Sequence, residues 1–236
     1  MKIRIKFSKH GAMKFIGHLD IMRYFQKAIR RADIPAVYTE GFSPHMVMSF
    51  ASPLGVGLTS DGEYFDMEIH GQISSKEAIH RLNEAMVEGI EILSFRKIPE
   101  NKANKAMTLV AAADYRVAFR EGKQPFANWE ASFYDFLEQK EIVIVKKTKT
   151  SEKEMDIRPY IYDFSIQNHT IFFRLCSGSV TNIKPELVIE SFAAYAGFSF
   201  DPLALIIHRV ELYAQIGTEQ DKKFISLEDL GEDIGE

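Results

Sequence analysis

Lys2–Phe7 (KIRIKF) alternates polar and apolar residues, and His18–Ala32 (HLDIMRYFQKAIRRA) then repeats Leu19, Met22, Phe25, Ile29 and Ala32 at helical spacing. A period of two suits a half-buried strand, and a period near 3.6 suits an amphipathic helix. This switch constrains the fold more than any other feature, because it recurs along the chain. Residues 46–51 and 63–69 read as strands, 75–87 as a helix, and 90–98 as a strand stopped by Pro99. The order βαββαβ is that of a ferredoxin-like split βαβ unit.

Residues 99–107 (PENKANKAM) are polar and read as a linker. A related order follows. Residues 114–120 read as a strand, 127–139 as a helix and 141–147 as a strand. Residues 160–166 and 170–176 read as a hairpin turning at Gln167-Asn168-His169. A helix over 185–196 has Pro185 suited to its first turn and Gly197 to its end. A strand over 203–213 completes the series. The expected fold class is therefore α+β: two tandem ferredoxin-like (βαββαβ) units with antiparallel sheets. The first spans 1–100, the second 108–216 with extra strands, and 217–236 forms a loosely held acidic tail.

Charge is unevenly placed. The chain of 236 residues has a net charge of −4, which argues against a generally basic nucleic-acid binder. Residues 1–35 nevertheless hold nine basic residues against Asp20 and Asp33, a local excess of +7, while residues 211–236 hold eight acidic residues against Lys222 and Lys223. A basic segment of that kind points to an anionic partner. Cys176 is the only cysteine, which excludes an intramolecular disulfide, a Cys-rich zinc site and a cluster ligated by this chain alone. A cytoplasmic location is the expectation, with no signal peptide and no apolar run long enough to cross a membrane.

Four sets of residues are candidates for function. Arg23, Lys27, Arg30 and Arg31 fall at i, i+4, i+7 and i+8, which places them on one helix face opposite the apolar stripe. Such a stripe follows a phosphate backbone, or is a solvated helix face. His18 and Asp20 lie at the start of the same helix, and with His45 they are the candidates for catalysis. His18 is a candidate for acid–base work, but it projects with Met22 and Ile29, which also suits a packed histidine. In YTEGFSPHMVMSF (38–50), Gly41 and Pro44 shape a turn that carries Phe42 and His45. Ser177, Gly178, Ser179, Asn182 and Lys184 precede a helix start, as in an anion site or a capped strand–helix turn. The P-loop spacing is absent, and no histidine spacing marks a metal site. On the first strand Lys2, Arg4 and Lys6 face Tyr64, Asp66 and Glu68 of the third, a cross-strand charge lattice.

The stretches FIGHLDIMRYFQKAIRRADIP, YTEGFSPHMVMSFASPLGVGLTSDGEYFDMEI, EMDIRPYI, LCSGSVTNIKPELVIESF and HRVELY resemble the radical-SAM-linked family of bacterial proteins, a domain of unknown function. The likeness covers roughly residues 1–215. It implies a radical-SAM protein as partner; no cofactor is expected. It singles out His18, Leu19 and Asp20; Gly41, Phe42, Pro44, His45, Ser49 and Phe50; Pro53, Leu54, Gly55, Gly62 and Glu63; Asp156, Arg158 and Pro159; and Lys184, Pro185 and Glu186. This chain lacks the cysteine triad of a radical-SAM enzyme. The expected role is a non-enzymatic RNA-binding or substrate-presenting accessory in RNA or ribosome modification. One alternative is a metal-independent endoribonuclease, by analogy with CRISPR repeat-processing enzymes of tandem ferredoxin-like fold. Another is a protein-only partner of a radical-SAM enzyme.

Overall fold

The computed structural model describes residues 1–100, 104–147, 152–218 and 221–235. The chain is a mixed α+β protein with mostly antiparallel strands and few helices. Its elements are β1 (Lys2–Lys9), α1 (His18–Arg31), β2 (Met48–Phe50), β3 (Thr59–Glu68), α2 (Ser75–Glu84), β4 (Ile90–Ile98), α3 (Ala106–Leu109) and β5 (Val110–Phe119). There follow α4 (Trp129–Leu137), β6 (Val143–Lys147), β7 (Glu152–Asp156), β8 (Ile161–Gln167), β9 (Thr170–Cys176), α5 (Pro185–Ala196), β10 (Leu205–Gly217), β11 (Lys222–Ser226) and β12 (Glu232–Asp233). No described helix is long and apolar enough to cross a membrane.

Two compact units emerge: Met1–Ala112 with Arg209–Glu236, and Ala113–His208. These limits differ from those expected at 100/108 and 217. The reason is the C-terminal segment, which returns to the first unit and packs there.

In the first unit the strand order is β12-β4-β1-β3-β10, with β2 beside β3 and β11 beside β10. Strand alternation sends Ile3, Ile5 and Phe7 to one face, where they join Phe65, Met67, Phe95 and the buried side of α1. Phe7, Phe25, Phe50 and Phe65 meet there edge-on or tilted, with ring centres 4.6–6.1 Å apart. Helix α2 is capped by the Ser74 hydroxyl, which accepts from the Glu77 N–H. Gly62 sits where β3 approaches β10 most closely. A Cβ there would lie 2.8 Å from the Val210 carbonyl oxygen.

The other sheet face is polar, and the register pairs Lys2 with Glu68, Arg4 with Asp66 and Lys6 with Tyr64. It is covered. Leu227 is fully buried, and its carbonyl accepts from Arg4 Nη1 at 3.1 Å. Lys6 Nζ donates to Glu211 and to Glu228, each at 2.6 Å. Burial alone would lower the Lys6 pKa, but these two carboxylates outweigh it and hold it above its ordinary value. Tyr64 donates to Glu211 and sits 3.0 Å from the Ser226 hydroxyl; burial, then the Glu211 charge, hold its phenol well above the usual range. Arg96 reaches the Glu228 carbonyl and the Asp229 carboxylate. The expected loose tail is therefore a strap, fastened because its acids match lysine and arginine on the sheet. Positions 219, 220 and 236 of that segment lie outside the described residues.

Of the expected linker at 99–107, residues 101–103 likewise lie outside the described residues, and α3 begins at Ala106, whose N–H donates to Asp66 Oδ2 at 2.7 Å.

The second unit orders its strands β10-β5-β9-β8. The expected strand at 141–147 does not join this sheet but pairs with β7 as a separate ribbon. Helices α4 and α5 pack through Phe133, Phe136 and Phe192, with ring centres 4.8–5.9 Å apart. The β8–β9 hairpin turns through Asn168 and His169, both with positive φ, as its sequence predicts.

Arg4 is 1% exposed and donates from Nε and Nη2 to both oxygens of Asp66. Asp66→Ala leaves that guanidinium buried without its counter-charge. We expect a loss of roughly 3–5 kcal/mol, read as a lower midpoint of urea unfolding.

Candidate nucleic-acid interface

Helix α1 buries Ile21, Phe25, Ala28 and Ile29, which turns Arg23, Lys27, Arg30 and Arg31 outward; all four are exposed. Leu19, expected on the buried stripe, is exposed instead, because the apolar face is centred on Ile21 and Ala28 rather than on Leu19 and Met22. Asp20 is the only acid in the helix and pairs with Arg23 at 3.5 Å. Arg31 donates to the Ala85 carbonyl at 2.8 Å, which ties one end of the stripe to the turn after α2. Arg30 donates to the Tyr38 hydroxyl at 3.1 Å and lies over that ring.

Tyr38 opens a second element. Ala36 bridges to Ile69 and Tyr38 to Met46, and the Thr39 N–H donates to the His45 carbonyl at 2.8 Å. The His45 N–H donates to the Thr39 hydroxyl at 3.0 Å. Residues 36–50 thus form a hairpin-like excursion whose second arm continues as β2. Its tip, residues 40–45, is exposed throughout. Gly41 takes φ +108°, which strains any side chain, so the tip turns there. Phe42 beside it is completely exposed. From Tyr38 to Phe42 is four residues, at most about 13 Å of chain. The tip therefore lies within that distance of the tyrosine that Arg30 holds.

The three catalytic candidates fall as follows. The His18 ring packs edge-on against Phe50 at 5.2 Å. Asp20 engages Arg23, and His45 extends from the tip with only its backbone engaged in the hairpin. Phe15, Leu19 and Val56, all more than half exposed, lie around the start of α1, where the Gly57 N–H donates to the Lys14 carbonyl. Phe15 and Val56 carry no signal in the sequence that would mark them as exposed, and Leu19, which the resemblance singles out, has an apolar character that would send it inside. Tyr38 was also missed; its place at the head of the glycine–proline turn was the available signal.

In the second unit the Ser177–Lys184 segment is a closed loop. Ser177 bridges to Asn182, the Gly178 N–H donates to the Thr181 carbonyl, and the Ile183 N–H donates to the Cys176 carbonyl. Cys176 Sγ also meets the Thr181 carbonyl at 3.2 Å. Helix α5 starts after Lys184 with Pro185, which has no N–H, and Glu186, whose charge already faces the positive end of the helix dipole. Asp156 accepts from the Ile142 and Arg158 N–H groups, while Arg158 donates to the Leu137 carbonyl; this pair stitches the unit together.

Comparison with known proteins gives a family and a distant structural likeness. A family model described as "Uncharacterized protein conserved in bacteria (DUF2344)" matches residues 2–185. No curated protein matches the sequence. Among solved structures, "Crystal Structure of a Cbf5-Nop10-Gar1 Complex" is similar at 9% identity and a TM-score of 0.45, over 89% of this chain and 48% of that one. The chain thus spans about half the length of that structure.

Phe42→Ser removes a side chain that touches nothing the fold needs, so thermal unfolding should shift by no more than about 0.5 kcal/mol. Gly41→Ala, by contrast, should cost about 1 kcal/mol or more through its positive φ. Paired melts of the two variants check the contrast.

Proposed function

The chain belongs to DUF2344, an uncharacterised protein family conserved in bacteria, and from that premise we propose that it is an RNA-binding accessory without an active site of its own. The observation that carries this reading is the exposed arginine–lysine face of α1 set beside the exposed Phe42 hairpin. Phosphates neutralised by Arg23, Lys27 and Arg30 supply a sequence-independent attraction. A bare aromatic at a hairpin tip supplies a stacking surface for an unpaired base. His45, next to it, adds a second ring. The Ser177–Lys184 loop belongs to this reading as a contact through Lys184 and its hydroxyls, since its backbone N–H groups of Gly178 and Ile183 are already used.

The finer parts of the reading have their own support. The order β4-β1-β3-β2 with α1 and α2 supports a ferredoxin-like description of the first unit. A radical-SAM protein as partner follows from the sequence resemblance alone, and a cytoplasmic setting from the sparse cysteine usage. The exposed Phe15, Leu19 and Val56 favour a second reading, in which the same protein docks on a partner enzyme through apolar contacts. Endonuclease chemistry is the weakest of the three, since His18 is packed on Phe50 and Asp20 is engaged by Arg23.

Binding of a labelled single-stranded RNA, followed by fluorescence anisotropy across a salt series, tests the leading reading. Wild-type affinity should fall steeply with salt. Arg23→Ala with Lys27→Ala should lower the slope of log K against log salt by about 1.4, at about 0.7 per lost phosphate contact. An unchanged slope, or no association at low salt, overturns it.

A further inference from the structure

At the foot of the same hairpin the first unit holds a cleft of about 310 Å³. Its walls include Met46, Met48 and Ile98, and its polar groups include Ser49, Glu68 and Lys105. The chemistry of Glu68 is the unusual part. The strand register sets Lys2 directly opposite it. Yet the Lys2 ammonium turns away to the Glu100 carbonyl at 2.8 Å. The neighbouring Asp66 has both oxygens taken by Arg4 and the Ala106 N–H. The half-buried Glu68 carboxylate is thus left with no hydrogen-bond or ion-pair partner among the described residues. A half-buried carboxylate in that position keeps its acceptor oxygens available to a donor that enters the cleft.

We infer that this cleft receives one nucleobase that carries an exocyclic amino group, with Glu68 accepting from that amino group. The inference rests on the RNA-binding reading above. The volume lies at the small end of ligand sites, which suits a single base. Met46 and Met48 offer thioether and methyl surface to the faces of an aromatic ring. A carboxylate accepts from the amino group of cytosine, and equally from those of adenine and guanine, whereas uracil has none to give. Lys105 at the rim supplies a cation for the attached phosphate. Thr39 and Met46 also line the cleft, and they are the residues that close the hairpin below Phe42. A strand whose phosphates follow α1 and whose base stacks on Phe42 therefore passes close to the opening. A free nucleotide presents the same base edge as RNA, so the test separates the two sources.

The experiment compares labelled oligocytidine and oligouridine of equal length on the full chain at one salt concentration, with CMP and UMP in parallel thermal-shift titrations. The wild type should bind oligocytidine about tenfold more tightly, the size of one good polar contact. Glu68→Gln, whose amide accommodates either base, should bring the two oligomers together while leaving the salt slope unchanged. Equal wild-type binding of both oligomers, or discrimination that survives in Glu68→Gln, overturns the base site and leaves the RNA-binding reading standing. CMP stabilising the wild type more than UMP does, with that preference lost in Glu68→Gln and no oligomer bound, keeps the site for a free nucleotide and sinks the RNA reading. No response to any of the four ligands overturns both.

Discussion

The buried Arg4–Asp66 pair is the contact on which the first unit depends. It joins β1 to β3 through two hydrogen bonds of 2.9 and 3.1 Å. The same guanidinium holds the carbonyls of Leu227 and Asn104, and the same carboxylate holds the Ala106 N–H. Four segments far apart in sequence thus meet at one ion pair. A buried arginine is stable only when its donors and its charge are matched. That requirement explains why the strap and the start of α3 lie on this sheet face and do not trail into solvent. A second buried pair does the same at the other end of β3. Arg209 grips Glu63 with two hydrogen bonds and also donates to the Ser52 carbonyl at 2.6 Å. Lys9 lies nearby, buried, with its pKa lowered chiefly by that burial.

Local periodicity carried much of this into the sequence. The alternation of Lys2, Arg4 and Lys6, read against Tyr64, Asp66 and Glu68, gives the pairing that β1 and β3 adopt. Helix α5, strand β4 and the β8–β9 turn were equally legible, since each has its period and its stop signal in adjacent residues. The strap was not. Lys222–Ser226 (KKFIS) is short and shows no alternation that would mark it as a strand. The strap's β10 partner is close in the chain, but its β1 partner is not: Lys6 meets Glu228 across 222 positions of chain. Nothing local to either residue encodes that meeting.

The candidate interface was legible in part for the same reason. Spacing alone put Arg23, Lys27, Arg30 and Arg31 on one face, because helix geometry fixes it. Glycine and proline marked the turn at 41–44. What spacing cannot give is which apolar residues remain outside. Leu19 and Phe15 look like core from their neighbours, yet the core is filled by Ile21, Phe25 and the four-phenylalanine cluster. The unpartnered state of Glu68 was hidden too, since it follows from where the Lys2 ammonium goes and not from the register.

The excess of +7 over residues 1–35 suggests a broadly basic end of the chain. Much of it is unavailable to a partner: Arg4, Lys6 and Lys9 are buried or nearly so, and the first two are matched by Asp66, Glu211 and Glu228. Glu211 and Glu228 of the C-terminal segment are spent on the same face, and Arg96 takes Asp229 and Asp233. Acidic and basic ends that look like opposite surfaces in the sequence therefore cancel inside one unit. The arginines and lysine of α1 stay outside that cancellation. Asp20 and backbone or phenolic oxygens are their neighbours, which leaves their charge exposed to solvent. A protein of net charge −4 can present a positive face here because Asp66, Glu211 and Glu228 are committed to bases of β1, and the Phe42 hairpin and the Glu68 cleft belong to that same unit.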